Sequence, residues 1–265
     1  MPAVRTGPLF GLFAQVVLLA ALATTVGLGP AGWAVGLAFG IVTCAGLSHG
    51  LNRSGARGLG PADWVTLTRA TLVGGVAALT AGSFHAAVPV KALVGMVVVA
   101  LLLDGVDGQV ARRTGTCSPL GARFDMEVDA FLLLVLSVYV TRYTGAWTLA
   151  IGGMRYAFVL AMWLLPWMRA TLPYRYWRKV VAATQGVVLV AATANVLPVP
   201  VVVAALAGSL LLLVESFGRD VFWLWHRRPL RVGRRAPQYR PLTMASPPVP
   251  LAKVGKGRSR EGVRV

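Results

Sequence analysis

Acidic residues are what this chain has least of: nine Asp and Glu among 265 residues, against 26 Lys and Arg. Charged residues of both signs make up only 13% of the chain while 56% of it is hydrophobic. Such a composition excludes an ordinary soluble domain, which carries about twice that charge, and leaves room for several membrane spans. Cysteine is nearly absent too. Cys44, in an apolar segment, and Cys117 have no ligand spacing and cannot build a disulfide framework. No internal repeat is visible, which argues against the duplicated architecture of many transporters. The net charge of +17 could suggest nucleic acid, but the basic residues fall in the connectors and tail around apolar runs. Orientation in a membrane explains that pattern, and nucleic-acid binding is not expected.

Scarce as they are, the acids are not scattered. Five of the nine lie between Asp104 and Asp129, in DGVDGQVARRTGTCSPLGARFDMEVD. On a helix turning about 100° per residue, Asp104, Asp107, Gly108 and Ala111 share one narrow face with Arg112 at its margin. Gly115 and Pro119 break the pattern. A second helix then sets Gly121, Asp125 and Asp129 one turn apart on a single stripe. The two helices form a hairpin with four facing carboxylates, each helix continuous with an apolar segment. One such acid is a solvated interfacial residue by default. Four on two stripes, flanked by glycines at a membrane boundary, cannot all stay ionised without cations, and hard divalent ions with oxygen ligands are the natural partners. Arg123 and Glu127, on the opposite face of the second helix, are expected to form an i, i+4 ion pair.

These residues resemble a known signature. Asp104, Asp107, Gly108, Ala111, Arg112, Gly121, Asp125 and Asp129 match, in type and spacing, the DxxDGxxAR, eight residues, GxxxDxxxD pattern of the CDP-alcohol phosphatidyltransferase superfamily. The resemblance implies a membrane enzyme of phospholipid biosynthesis that moves a substituted phosphoryl group, such as phosphatidyl from CDP-diacylglycerol, to an acceptor alcohol with release of CMP. It implies two Mg²⁺ or Mn²⁺ ions held by Asp104, Asp107, Asp125 and Asp129, with Asp129 as general base. Gly108, Ala111 and Gly121 would let the nucleotide lie close to the helices, and Arg112 would contact phosphate or brace the hairpin. The stretch PADWVTLTR resembles the PNxLTxxR opening of the first core helix in these enzymes, with Asp63 where Asn is common and the proline one place early. Asp63 and Thr66 become candidates for nucleotide contacts, with Arg69 in register. YRYWRKVVAATQ resembles a basic loop found in many members and nominates Arg178 and Lys179 for phosphate. Arg155, deep in an apolar segment, either holds an anionic acceptor or snorkels to the surface. ARRTGT and SPLG resemble the aminoalcohol phosphotransferase branch, which uses a CDP-aminoalcohol and diacylglycerol, but the residues between Asp125 and Asp129 do not follow it. The acceptor stays open. A divalent-cation transporter is the competing class, against which the glycines and alanine beside the acids weigh.

The expected fold is an all-α polytopic membrane bundle. Apolar runs near 8–26 and 33–51 make an N-terminal hairpin; Ala21 to Ala23, the small-x-small site a signal peptide would need, lies inside the first run. A connector at 52–62 leads to a six-helix core over 63–225, with spans near 64–84, 88–113, 118–141, 146–168, 180–197 and 199–224. Residues 226–265 form a basic tail, rich in Pro, Gly and Ser beyond Arg240 and expected to be disordered. With the N-terminus inside, Arg53 and Arg57, Arg112 and Arg113, Arg169 to Lys179 and the tail all fall on the cytoplasmic side, the opposite loops holding only Lys91 and Arg142. The expected setting is the cell membrane with both termini cytoplasmic. The partners are then the bilayer, a CDP-alcohol and lipid, with a homodimer left open.

Overall fold

The chain forms α1 (Thr6–Val26), α2 (Pro30–Ser54), α3 (Pro61–Gly82), α4 (Val90–Thr114), α5 (Pro119–Thr144), α6 (Leu149–Leu164), α7 (Tyr176–Ala194) and α8 (Val199–His226), with no strand among the described residues. This computed structural model describes residues 6–54, 58–114, 118–169 and 176–226, of which 54, 107, 108, 110–114 and 169 are described by backbone alone. The expected tail beyond His226 and the connector residues 55–57 lie outside that range.

Local signals set the ends. Pro61 and Pro119 occupy the first turns of α3 and α5, where the missing N–H is no loss. Ser118 caps α5 by accepting a 2.8 Å hydrogen bond from the Gly121 N–H. Gly145, at φ 96°, ends α5 in a conformation that a side chain would strain. One expected span is cut short. In place of a single helix over 146–168, a 3₁₀ turn at Ala146–Thr148 leads into α6, which stops at extended Leu165 before a second 3₁₀ turn at Pro166–Arg169. Pro166 explains the break, since it has no N–H to give and disfavours helical backbone at the residue before it.

Among the described residues, five segments are long and apolar enough to cross a membrane: α1, α2, α3, Ala146–Leu164 and α8. The chain is a polytopic all-α bundle, and its apolar residues face outward as well as inward. Along α1 only 17% of the most apolar window is buried, and Leu9, Phe10 and Phe13 are exposed. That is the arrangement expected where lipid is the solvent. α3 is the exception at 72%, because it is the central helix, in contact with α1, α2, α4 and α5. Small residues on it, among them Ala70, Gly74, Ala77 and Ala78, let its neighbours approach closely. α5 is the second hub, packed on α3, α6 and α7. At Gly152 of α6 the backbones meet so closely that a Cβ would overlap the main chain of α5 at Leu134. α7 and α8 are joined by the Gln185 amide, which donates to the Ser209 carbonyl at 2.8 Å. These contacts bring the N-terminal halves of α3 and α5 and the C-terminal half of α4 to one end of the bundle.

Candidate active site

At that end a single guanidinium organises the acids. Arg69 lies eight residues into α3 and is 1% exposed. Its Nη1 donates to Asp104 Oδ1 on α4, and its Nη2 donates to Asp125 Oδ1 on α5. Nη2 also reaches the Asp125 backbone carbonyl and Asp129 Oδ1, each at 3.2 Å. Oxygens of Asp104, Asp125 and Asp129 all lie within 4.8 Å of one another. Their side chains stay 36–46% exposed, so the cluster is anchored from inside by a buried cation and open on the other side. Asp104 thus meets Asp125 and Asp129 across Arg69; α4 and α5 each pack on α3 and hardly on each other among the described residues, so α3 brings the acids together and not the direct hairpin contact expected.

The same corner holds three more of the expected residues. Asp63 Oδ2 accepts a 2.9 Å hydrogen bond from the Gly60 N–H and caps α3. Its Oδ1 lies against Gly121, where a Cβ would overlap it. A side chain at 121 would therefore displace the Asp63 carboxylate from its cap before any ligand is considered. Thr66, 4% exposed, donates to the Ala62 carbonyl at 3.2 Å. Asp107, Gly108, Ala111 and Arg112 belong to α4 by backbone, and their side chains lie outside the described residues.

The remaining candidates find partners elsewhere. Arg155 on α6 pairs with Glu127 on α5 at 2.6 Å. That corrects the expected Arg123–Glu127 pair: half-buried Arg155 needs a counter-charge more than surface-exposed Arg123 does, and α6 packs directly against α5. Arg178 on α7 pairs with Asp220 on α8 at 3.4 Å, with Asp220 only 6% exposed. Lys179 lines a shallow cleft on α7 beside Tyr176 and Thr184.

Arg69 is the residue that motif reading passed over, giving it a register and no role. A signal was present. An arginine embedded in an apolar 22-residue helix requires an anionic partner, and nearly all acids preceding α8 are concentrated in α4 and α5.

The donor set suits a hard divalent cation: three carboxylates from two helices, all oxygen donors, converging on one point. Arg69 cancels one of their three formal negative charges, and the two that remain match one divalent ion. No match to the chain was found among curated proteins or among solved structures. Residues 60–214, more than half of the chain and the segment holding every residue of this cluster, match the CDP-alcohol phosphatidyltransferase family, and the chain belongs to it.

Proposed function

We propose that the protein transfers a phosphatidyl group from CDP-diacylglycerol to an acceptor alcohol, releasing CMP, with the acids of α4 and α5 gathered around Arg69 as its catalytic centre. The observation that carries this reading is the convergence of Asp104, Asp125 and Asp129 on Arg69, within the region that matches the family. Asp104, Asp107, Asp125 and Asp129 are assigned to two Mg²⁺ or Mn²⁺ ions. Those ions would neutralise the pyrophosphate and the departing CMP. The acceptor hydroxyl attacks phosphorus, forming a P–O bond as the P–O bond to CMP breaks. Its proton passes to a carboxylate within reach, assigned to Asp129 at the exposed end of the stripe. Arg69 holds Asp104 and Asp125 at fixed separation, so little reorganisation is required as charge shifts. Gly108 and Ala111 are assigned to leave space for the nucleotide, and Gly121 to keep Asp63 of α3 close beside it. Asp63 and Thr66 border that space from α3, and Arg112 is assigned to phosphate. The core over 63–225, the N-terminal hairpin over 1–51 and cytoplasmic termini complete the proposal.

The test is incubation of the purified protein with radiolabelled CDP-diacylglycerol, Mg²⁺ and, one at a time, glycerol phosphate, inositol phosphate and serine. CMP should appear only with metal and with one acceptor. Product formed instead from a CDP-aminoalcohol and diacylglycerol would replace this reading with aminoalcohol transfer, and no CMP under any condition would overturn it.

A further inference from the structure

Behind the catalytic helix lies a second concavity, walled by α2, α5 and α6. Its volume is about 660 Å³, and it is lined by Val35, Val42 and Gly46 of α2, Phe124 and Phe131 of α5 and Tyr156 of α6. α2 precedes the family-matched residues, so this groove is an addition to the common core. It faces away from the carboxylates, because Arg123 and Glu127, which also line it, lie about 160° around α5 from Asp125.

Its dimensions select an occupant. The lining runs from Val35 to Leu47 on α2 and from Leu120 to Phe131 on α5, about 17 Å at ~1.5 Å per residue and so about half of a ~30 Å hydrocarbon core. Spread over that length, 660 Å³ gives a cross-section of roughly 40 Å², the elongated shape of an extended chain. A fatty acyl chain fits. Toward one end its two walls are joined by Phe39 and Phe131, stacked at 4.5 Å. The other, at the carboxylate-bearing end of α5, carries charge. There Glu127 is neutralised by Arg155, while Arg123 is exposed and has no ion pair among the described residues, leaving a net positive rim. Lipid tails are as apolar as the groove walls, so packing alone would not select one lipid over another. The cation does.

We propose that this groove binds one acyl chain of an anionic glycerophospholipid, with the lipid phosphate on Arg123, as a site separate from the catalytic centre. The test uses the full chain in phosphatidylcholine nanodiscs. Phosphatidylglycerol or phosphatidylcholine bearing a photoreactive diazirine near one chain end is added, and adducts are located by peptide mass spectrometry. Segments 35–47 and 120–131 should be labelled about fivefold more by the anionic probe, the preference one cation supplies near a membrane surface. Arg123→Gln should abolish that preference. Gly46→Phe should remove labelling by both probes there and spare the outward face of α8. A Cβ at Gly46 meets nothing within 4 Å, so this variant should fold, and Val42→Trp, filling the groove from an exposed position, repeats the test. Equal labelling by the two probes, labelling that survives both fillings, or cross-links joining two copies through α2 and α5 would overturn the proposal.

Discussion

Arg69 makes the site a set of charges with an internal counter-ion. Replacing it by Gln leaves Asp104, Asp125 and Asp129 facing one another with no cation on the protein side. The metal-free protein should lose about 1–3 kcal/mol of stability, toward the lower end because the carboxylates are partly solvated. Added Mg²⁺ should restore more thermal stability to Arg69→Gln than to the parent, which differential scanning fluorimetry across a metal series reads directly. An equal shift in both proteins would mean that metal does not bind where Arg69 points. The acids themselves divide by role. Asp104→Asn, Asp107→Asn and Asp125→Asn should each remove nearly all turnover while the protein stays folded, since an amide can still accept a hydrogen bond but ligates a cation poorly. Full turnover by any of them sinks that assignment. Asp129→Asn should lower turnover by roughly 10²–10⁴-fold with little change in Mg²⁺ affinity if the residue removes the acceptor proton. Weakened metal titration with partial rescue by excess Mn²⁺ would reassign Asp129 as a ligand.

Between helices, the glycines define what the site tolerates. Gly121→Ala drives a Cβ into Asp63 Oδ1, so the cap of α3 and the approach of α5 cannot both persist, and a fall in CDP-alcohol affinity is expected. Gly152→Val should cost about 1–3 kcal/mol by overpacking α6 on the α5 main chain. A thermal midpoint unchanged by Gly152→Val would show that α6 is free to move away. These contacts also mark how far sequence reaches. The helices were legible because apolar runs are long and Pro, Ser and Gly punctuate them, and the α4–α5 acids because their spacing places them on facing stripes. What pairs across helices was not. Arg123 and Glu127 satisfy every local rule for an ion pair, yet Glu127 turns to Arg155, 28 residues away. Local spacing carries no information about a neighbour brought in by packing. α6 ends early for a simpler reason: the hydropathy of 146–168 suits one span, but Pro166 cannot continue a helix.

For the molecule as a whole, α1 and α2 both pack on α3, so the N-terminal hairpin covers the helix that carries Arg69. The chain beyond Arg240 should be dispensable for chemistry: truncation there is expected to leave the catalytic rate nearly intact, and a loss of folded protein on truncation would overturn that. A different kind of consequence follows from where Arg69 sits in the chain. α4 and α5 carry the carboxylates of the site within otherwise apolar helices. Synthesis proceeds from the N-terminus, so Arg69 emerges 35 residues ahead of Asp104 and 56 ahead of Asp125, an interval of several seconds at ~5–20 residues per second. During that interval the buried cation is the unsatisfied partner. Each acid-bearing helix that follows then meets a charge that offsets its own, so the ion pairs that hold the finished site together also lower the cost of burying its acids.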